Sequence, residues 1–144
     1  MSYYINRTID LSFDEAVERV TEELKKEGFG VLTTIDVKAT LKKKLDVDFP
    51  NYRILGACNP PFAHKSLLAE PRIGLMLPCN VIVREIAGGE GEEMKGQSGG
   101  GGGSRSVEIA AVDPIASMQA VENPSLGELA LEVREKLKRV IDCV

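Results

Sequence analysis

The sequence predicts an α+β fold: a mostly antiparallel, curved sheet with two long amphipathic helices on one face and short helices inserted between strands. Three observations carry that expectation. Two strongly amphipathic helical patterns stand far apart, one ending near Gly28 and one running to the C-terminus. Between them lie β-patterned segments that do not alternate with long helices, which argues against a doubly wound parallel sheet. The 144 residues, 43% hydrophobic and 28% charged, suffice for one domain with a real core. No internal repeat or composition shift marks a boundary, so 1–144 reads as a single domain.

Taken in order, Tyr3, Ile5 and Ile9 with polar neighbours suggest a first strand. Ser12-Phe13-Asp14-Glu15 is a capping box, and Phe13, Val17, Val20 and Leu24 follow at helical spacing before Gly28 stops the helix. Phe29 to Ile35 has the β-branched content of a second strand. Asp36 then caps a short helix whose Lys42-Lys43-Lys44 run reads as a solvated face near a C-terminus, where the dipole favours cations. Tyr52 to Ala57 is a third strand delivering Cys58. Asn59 takes the cap position of the next helix, and Pro60 its first position, where a missing N–H costs nothing.

Ile73, Leu75, Leu77, Cys79, Val81 and Val83 alternate, which predicts a fourth strand with an apolar face and with Met76 and Ile82 on the other. Pro78 cannot donate to a ladder and calls for a bulge or an edge position. Residues 87–106, with Gly88-Gly89 and the run Gly99 to Gly103, read as a flexible glycine-rich insertion between two antiparallel strands. They match neither phosphate-cradling glycine motif, and Glu90, Glu92 and Glu93 would repel an anion. Val107 to Val112 is a fifth strand, and Asp113-Pro114 opens a short turn. Ser125-Leu126-Gly127-Glu128 suggests a second capping box before the helix carried by Leu126, Leu129, Ala130, Val133, Leu137, Val140 and Ile141.

Composition excludes several classes. A net charge of −4 and a pI near 5.1 give no electrostatic reason to expect nucleic acid. No apolar run approaches the ~20 residues of a membrane helix. The N-terminus lacks a signal-peptide pattern, and three cysteines do not make a disulfide framework. A cytoplasmic protein with reduced thiols is expected.

Chemistry concentrates between Gly56 and Asn80. This stretch holds two of the three cysteines, the only histidine and four of the seven prolines, with a Cys-Asn pair near each end. If the third and fourth strands pair antiparallel, Cys58-Asn59 and Cys79-Asn80 come together with His64 on the helix between. The candidate ligand-binding or thiol residues are therefore Cys58, Asn59, His64, Cys79 and Asn80. The helix N-terminus would stabilise a Cys58 thiolate. No metal is assigned: the spacing fits no standard zinc pattern, and Glu70 is the only nearby fourth ligand. Each residue also has a structural reading, with cysteine as a small hydrophobe and asparagine as a helix cap.

Asp36-Val37-Lys38-Ala39-Thr40-Leu41-Lys42, Ile54-Leu55-Gly56-Ala57-Cys58-Asn59-Pro60, Ala63-His64-Lys65-Ser66-Leu67, Ile73-Gly74-Leu75-Met76-Leu77-Pro78-Cys79-Asn80 and Val112-Asp113-Pro114 resemble the domain of unknown function 302 family across nearly the whole chain. The resemblance implies a small bacterial or archaeal protein with a TATA-binding-protein-like fold, β-α-β(4)-α, and a homodimer. It implies no established activity and assigns no role to the motif residues. Fold likeness does not carry DNA binding with it.

Three function classes follow. The first is a homodimeric small-ligand-binding module with its site around the Cys-Asn-Pro and Leu-Pro-Cys-Asn segments. The second is a protein-interaction or structural domain, and the third a thiol-dependent enzyme using Cys58. Whether it is an enzyme, and which cofactor it takes, are left open by the residues.

Overall fold

The computed structural model describes residues 2–86 and 106–144. The glycine-rich insertion therefore lies outside the described residues, apart from Ser106, which opens the last strand.

Five strands form one open antiparallel sheet: β1 (Tyr4–Asp10), β2 (Gly30–Asp36), β3 (Tyr52–Cys58), β4 (Cys79–Glu85) and β5 (Ser106–Val112), in the order β1-β5-β4-β3-β2. Helix α1 (Phe13–Lys26) joins the two edge strands, so it must cross the whole face. The chain then meanders inward from β2 through β5, and α5 (Leu126–Cys143) packs beside α1 on that same face. Short helices α2 (Val37–Leu45), α3 (Pro60–Ala69) and α4 (Pro114–Ser117) fill the connections.

Local chemistry explains the helix ends. The Ser12 side chain accepts from Glu15 N, and Glu15 returns the bond to the Ser12 backbone, completing the first capping box. At the other end of α1, Gly28 adopts φ +89°, Gly28 N donates to Lys25 O and Phe29 N donates to Leu24 O at 2.9 Å. That is a Schellman stop, and Phe29 and Leu24 supply its apolar contact inside the core. Asp36 caps α2 through Ala39 N, and Lys42 pairs with Asp46 and Asp48 on an exposed surface. Arg7, on edge strand β1, donates to Asp142 O at 2.7 Å and Val144 O at 3.2 Å, satisfying carbonyls at the end of α5.

The core lies between the sheet and the two long helices. Leu55, Ala57, Val81, Val83, Val107, Ile109 and Ala111 face Ala16, Val20 and Leu24 of α1 and Leu137, Val140 and Ile141 of α5. Burying such a Val, Leu or Ile stabilises the fold by roughly 1.5–3 kcal/mol per side chain. The opposite sheet face carries Tyr52, Ile54, Ile82 and Ala110, and among the described residues neither long helix lies over it; Glu108 there accepts from Arg84 Nε and from Asn6 Nδ2.

Two expectations fail locally. The predicted fourth strand does not begin at Ile73: Ile73–Met76 is a 3₁₀ turn, and the strand starts only at Cys79, after a cis Leu77–Pro78 bond. The alternation there was real but too short to be a strand, because Ile73 alone is buried while Leu75 is 84% exposed. The second capping box does not form either. Ser125 has helical backbone angles and no side-chain cap, and Asn123 Oδ1 instead accepts from Ser125 N and Ser125 Oγ.

Candidate functional site

β3 and β4 pair antiparallel, with Ala57 opposite Cys79 and Gly56 opposite Asn80. The end of one strand and the start of the other therefore meet at a single corner of the sheet. Alternation then divides the motif. Cys79 points to the helix-covered side with Ala57, whereas Asn80 is exposed beside Ile82 and Arg84 on the uncovered face.

A small, almost wholly apolar pocket of about 50 Å³ occupies that corner. Cys58, Asn59 and Cys79 line its sheet side, together with Pro78. Phe62, Ala63 and Ser66 come from α3, spaced so that one helix face looks inward. Met118 follows α4, and Leu129, Ala130 and Val133 come from the N-terminal half of α5. His64 falls on the other side of α3, where it is exposed and does not line the pocket. Of the five expected residues, three are thus gathered at one site and two are not.

Asn59 occupies the cap position of α3 but does not cap it. Its backbone carbonyl accepts the first helical bond from Ala63 N, while its side chain Nδ2 donates to Glu27 O at 3.2 Å. Pro60 and Pro61 hold the first two helical positions, so the first two free helical N–H groups of α3 are missing. The expected support for a Cys58 thiolate from free helix donors is correspondingly reduced. At Cys79, burial foremost, and then the neighbouring Cys58 charge, push the thiol up to about 11. A thiol held there stays protonated at neutral pH, so Cys79 is a poor nucleophile.

Sequence reasoning misses Phe29, Met118 and the α5 contributors as pocket residues. The apolar stripe of α5 predicts only that the helix packs on the sheet; its first half, with Leu129, Ala130 and Val133, covers the pocket. Among the described residues no cluster of three or more His, Cys, Asp and Glu could hold a metal ion, and Glu70 contacts Asn123 rather than a cysteine. No described helix is long and apolar enough to cross a membrane.

A family model described as "Domain of unknown function DUF302" matches residues 5–92, well over half of the sequence. The chain belongs to the DUF302 family. A solved structure, that of an uncharacterized conserved DUF302 protein from Bacillus stearothermophilus, is similar at 26% identity with a TM-score of 0.80. The alignment covers 99% of this chain and 98% of that one. No curated protein matches this DUF302 chain. The family match includes the Cys58–Cys79 segment, whereas Met118 and the α5 wall of the pocket lie beyond it.

Proposed function

We propose that this DUF302 chain is a homodimeric module that binds a small ligand in the pocket between β3, α3 and α5. The single observation that carries this reading is a recess of about 50 Å³ with apolar walls and only a few polar or thiol groups, Cys58, Asn59, Ser66 and Cys79. Binding sites generally have this composition. Its size narrows the ligand class, because a cavity of roughly 150 Å³ is what holds benzene. The occupant is then an ion, a molecule of very few atoms, or the tip of something larger.

The homodimer rests on the uncovered sheet face. A two-fold interface uses the same patch twice, and this face offers Tyr52, Ile54 and Ile82 around the neutralised Arg84–Glu108 pair. A broad depression of about 580 Å³ lies over it. The interaction-domain reading uses the same face with a different partner. The thiol-enzyme reading is the weakest, since the double proline and the protonated Cys79 both count against an activated nucleophile.

Native mass spectrometry of the freshly purified chain tests both halves together. The expected result is a dimer carrying one small adduct per chain. Bare monomers at tens of micromolar, roughly the range in which an interface of ordinary strength persists, would contradict it.

A further inference from the structure

We propose that the recess takes the end of a single linear alkyl chain with a cationic head group, an alkylammonium amphiphile, whose body lies in a groove along α5. This inference rests on the pocket being a ligand site and names the class of ligand it takes.

Shape limits the ligand first. At about 50 Å³ the recess is far below the roughly 150 Å³ that holds benzene, so it excludes a ring but admits the end of an unbranched chain. The recess also has a continuation. Met118, Leu126 and Ala130 line it and line a second, open groove of about 540 Å³ as well. That groove runs on over Ile115, Val121 and Leu131, and its walls are mostly apolar. Met118 is half-buried at the junction, and an unbranched thioether can rotate aside. Leu131 is 52% exposed, so the groove presents apolar surface to water that a chain of methylenes would cover. Among the described residues no strand residue lines the groove, so a dimer through the uncovered sheet face leaves it open.

Charge selects the head group. Glu128 lines the groove, and Val121 also lines an adjoining depression of about 400 Å³ that carries Glu70, Glu122 and Arg72. Three carboxylates therefore stand against one guanidinium around the open end. Glu70 accepts from Asn123 Nδ2 at 3.4 Å, while the side chains of Glu122 and Glu128 form no ion pair among the described residues. An ammonium head is attracted there, and a carboxylate head meets like charge.

Isothermal titration calorimetry of the full chain tests this. Butylamine, hexylamine and octylamine, each below its micellar range, vary the chain, and octanol and octanoate vary the head. The expected result is one ligand per chain, with affinity rising about fourfold per added methylene. Octylamine should bind tighter than octanol, and octanol tighter than octanoate. Leu131→Lys, at an exposed position, should abolish octylamine binding with the circular dichroism spectrum unchanged. Glu122→Gln combined with Glu128→Gln should bring octylamine down towards octanol and leave octanol as it was. Octanoate as tight as octylamine, affinity independent of chain length, or unaltered octylamine binding in either variant overturns the assignment. Saturable binding of a basic leucine-rich peptide, with the amines inert, overturns it in favour of a protein partner. Xenon binding, followed through pocket methyl signals, separates the two levels of the argument. Xenon uptake without amine binding rejects only the alkyl-chain ligand, while loss of both rejects the pocket as a ligand site as well.

Discussion

The side chain of Asn59 donates to the backbone carbonyl of Glu27 at 3.2 Å, tying the start of α3 to the end of α1. The contact is close on both sides, because a Cβ on Gly28 would stand 3.1 Å from Asn59 Nδ2. Asn59 is only 8% exposed. Removing it leaves a part-buried carbonyl without its donor, which costs about 1–3 kcal/mol. Asn59→Ala should lower stability by that amount in urea unfolding. Asn59→Asp should lower it further at neutral pH, since a carboxylate would then face a carbonyl oxygen. Equal stability of the Asp variant and the wild type would contradict this role.

Gly56 is required by crowding rather than by backbone angle. A Cβ there would overlap Thr33 Oγ1 and stand 2.8 Å from Pro78 Cγ. The threonine can rotate, but the proline ring cannot. Gly56→Ala should therefore destabilise the chain by about 1–3 kcal/mol, the usual cost of overpacking. Thermal unfolding of Gly56→Ala beside a Gly56→Ala/Thr33→Ala double variant checks it, and a fully restored midpoint would locate the clash at Thr33 Oγ1 alone.

Asp113 has two tasks. Its Oδ1 caps α4 through Ile115 N at 2.9 Å, and its Oδ2 accepts from Arg134 Nε on α5 at 3.0 Å. Asp113→Asn keeps a capping oxygen and loses the charge pair, whereas Asp113→Ala loses both. The alanine variant should be less stable than the asparagine variant by about 1 kcal/mol, the typical worth of a cap. Denaturant midpoints decide, and equal midpoints would mean that the cap contributes nothing.

Cys79 should make stability fall at alkaline pH. Its thiol is raised from 9.0 to about 11 by burial and by Cys58. The folded state therefore holds the proton more tightly than the unfolded chain. That contribution is complete below pH 9 and is lost as pH rises through about 11. Its full size is on the order of 2–3 kcal/mol. Unfolding free energies of the wild type and Cys79→Ala, compared at pH 8 and pH 10.5, should converge as pH rises. A constant difference would show that the thiol is not held protonated.

Much of this fold was legible in sequence because its signals are local. Ser12 and Glu15, Gly28, Asp36 and the apolar spacing of α1 each act within a few residues, and each element formed as expected. The errors arose where local signals were overruled. Ser125 and Glu128 have the spacing of a capping box, yet Asn123 Oδ1 takes Ser125 N, the donor Glu128 would have accepted from, and Ser125 Oγ as well. Ile73 to Leu77 alternates like a strand, yet the chain tightens into a 3₁₀ turn before Pro78.

The site was legible only in part. The sequence poses antiparallel pairing of β3 with β4 only as a condition, since α3 and a 3₁₀ turn separate them; the sheet meets that condition and brings Cys58 near Cys79. Alternation should have sent Asn80 to the opposite face from Cys79, and helical spacing gave no reason to place His64 inward. Met118 and Ala130 come from elements distant in sequence, so no spacing rule could have joined them to Cys58.

The central claim is that the corner between Cys58 and Cys79 is an accessible ligand pocket. Methyl-selective NMR of the full chain under xenon pressure tests it most directly, beside Ala63→Phe, which would fill the recess. The account predicts saturable shifts at Ala57, Ala63, Leu77 and Met118 in the wild type, and their loss in the filled variant with the other methyl signals unchanged. Shifts confined to the uncovered sheet face around Ile54 and Ile82, or shifts at the corner that survive Ala63→Phe, would contradict it.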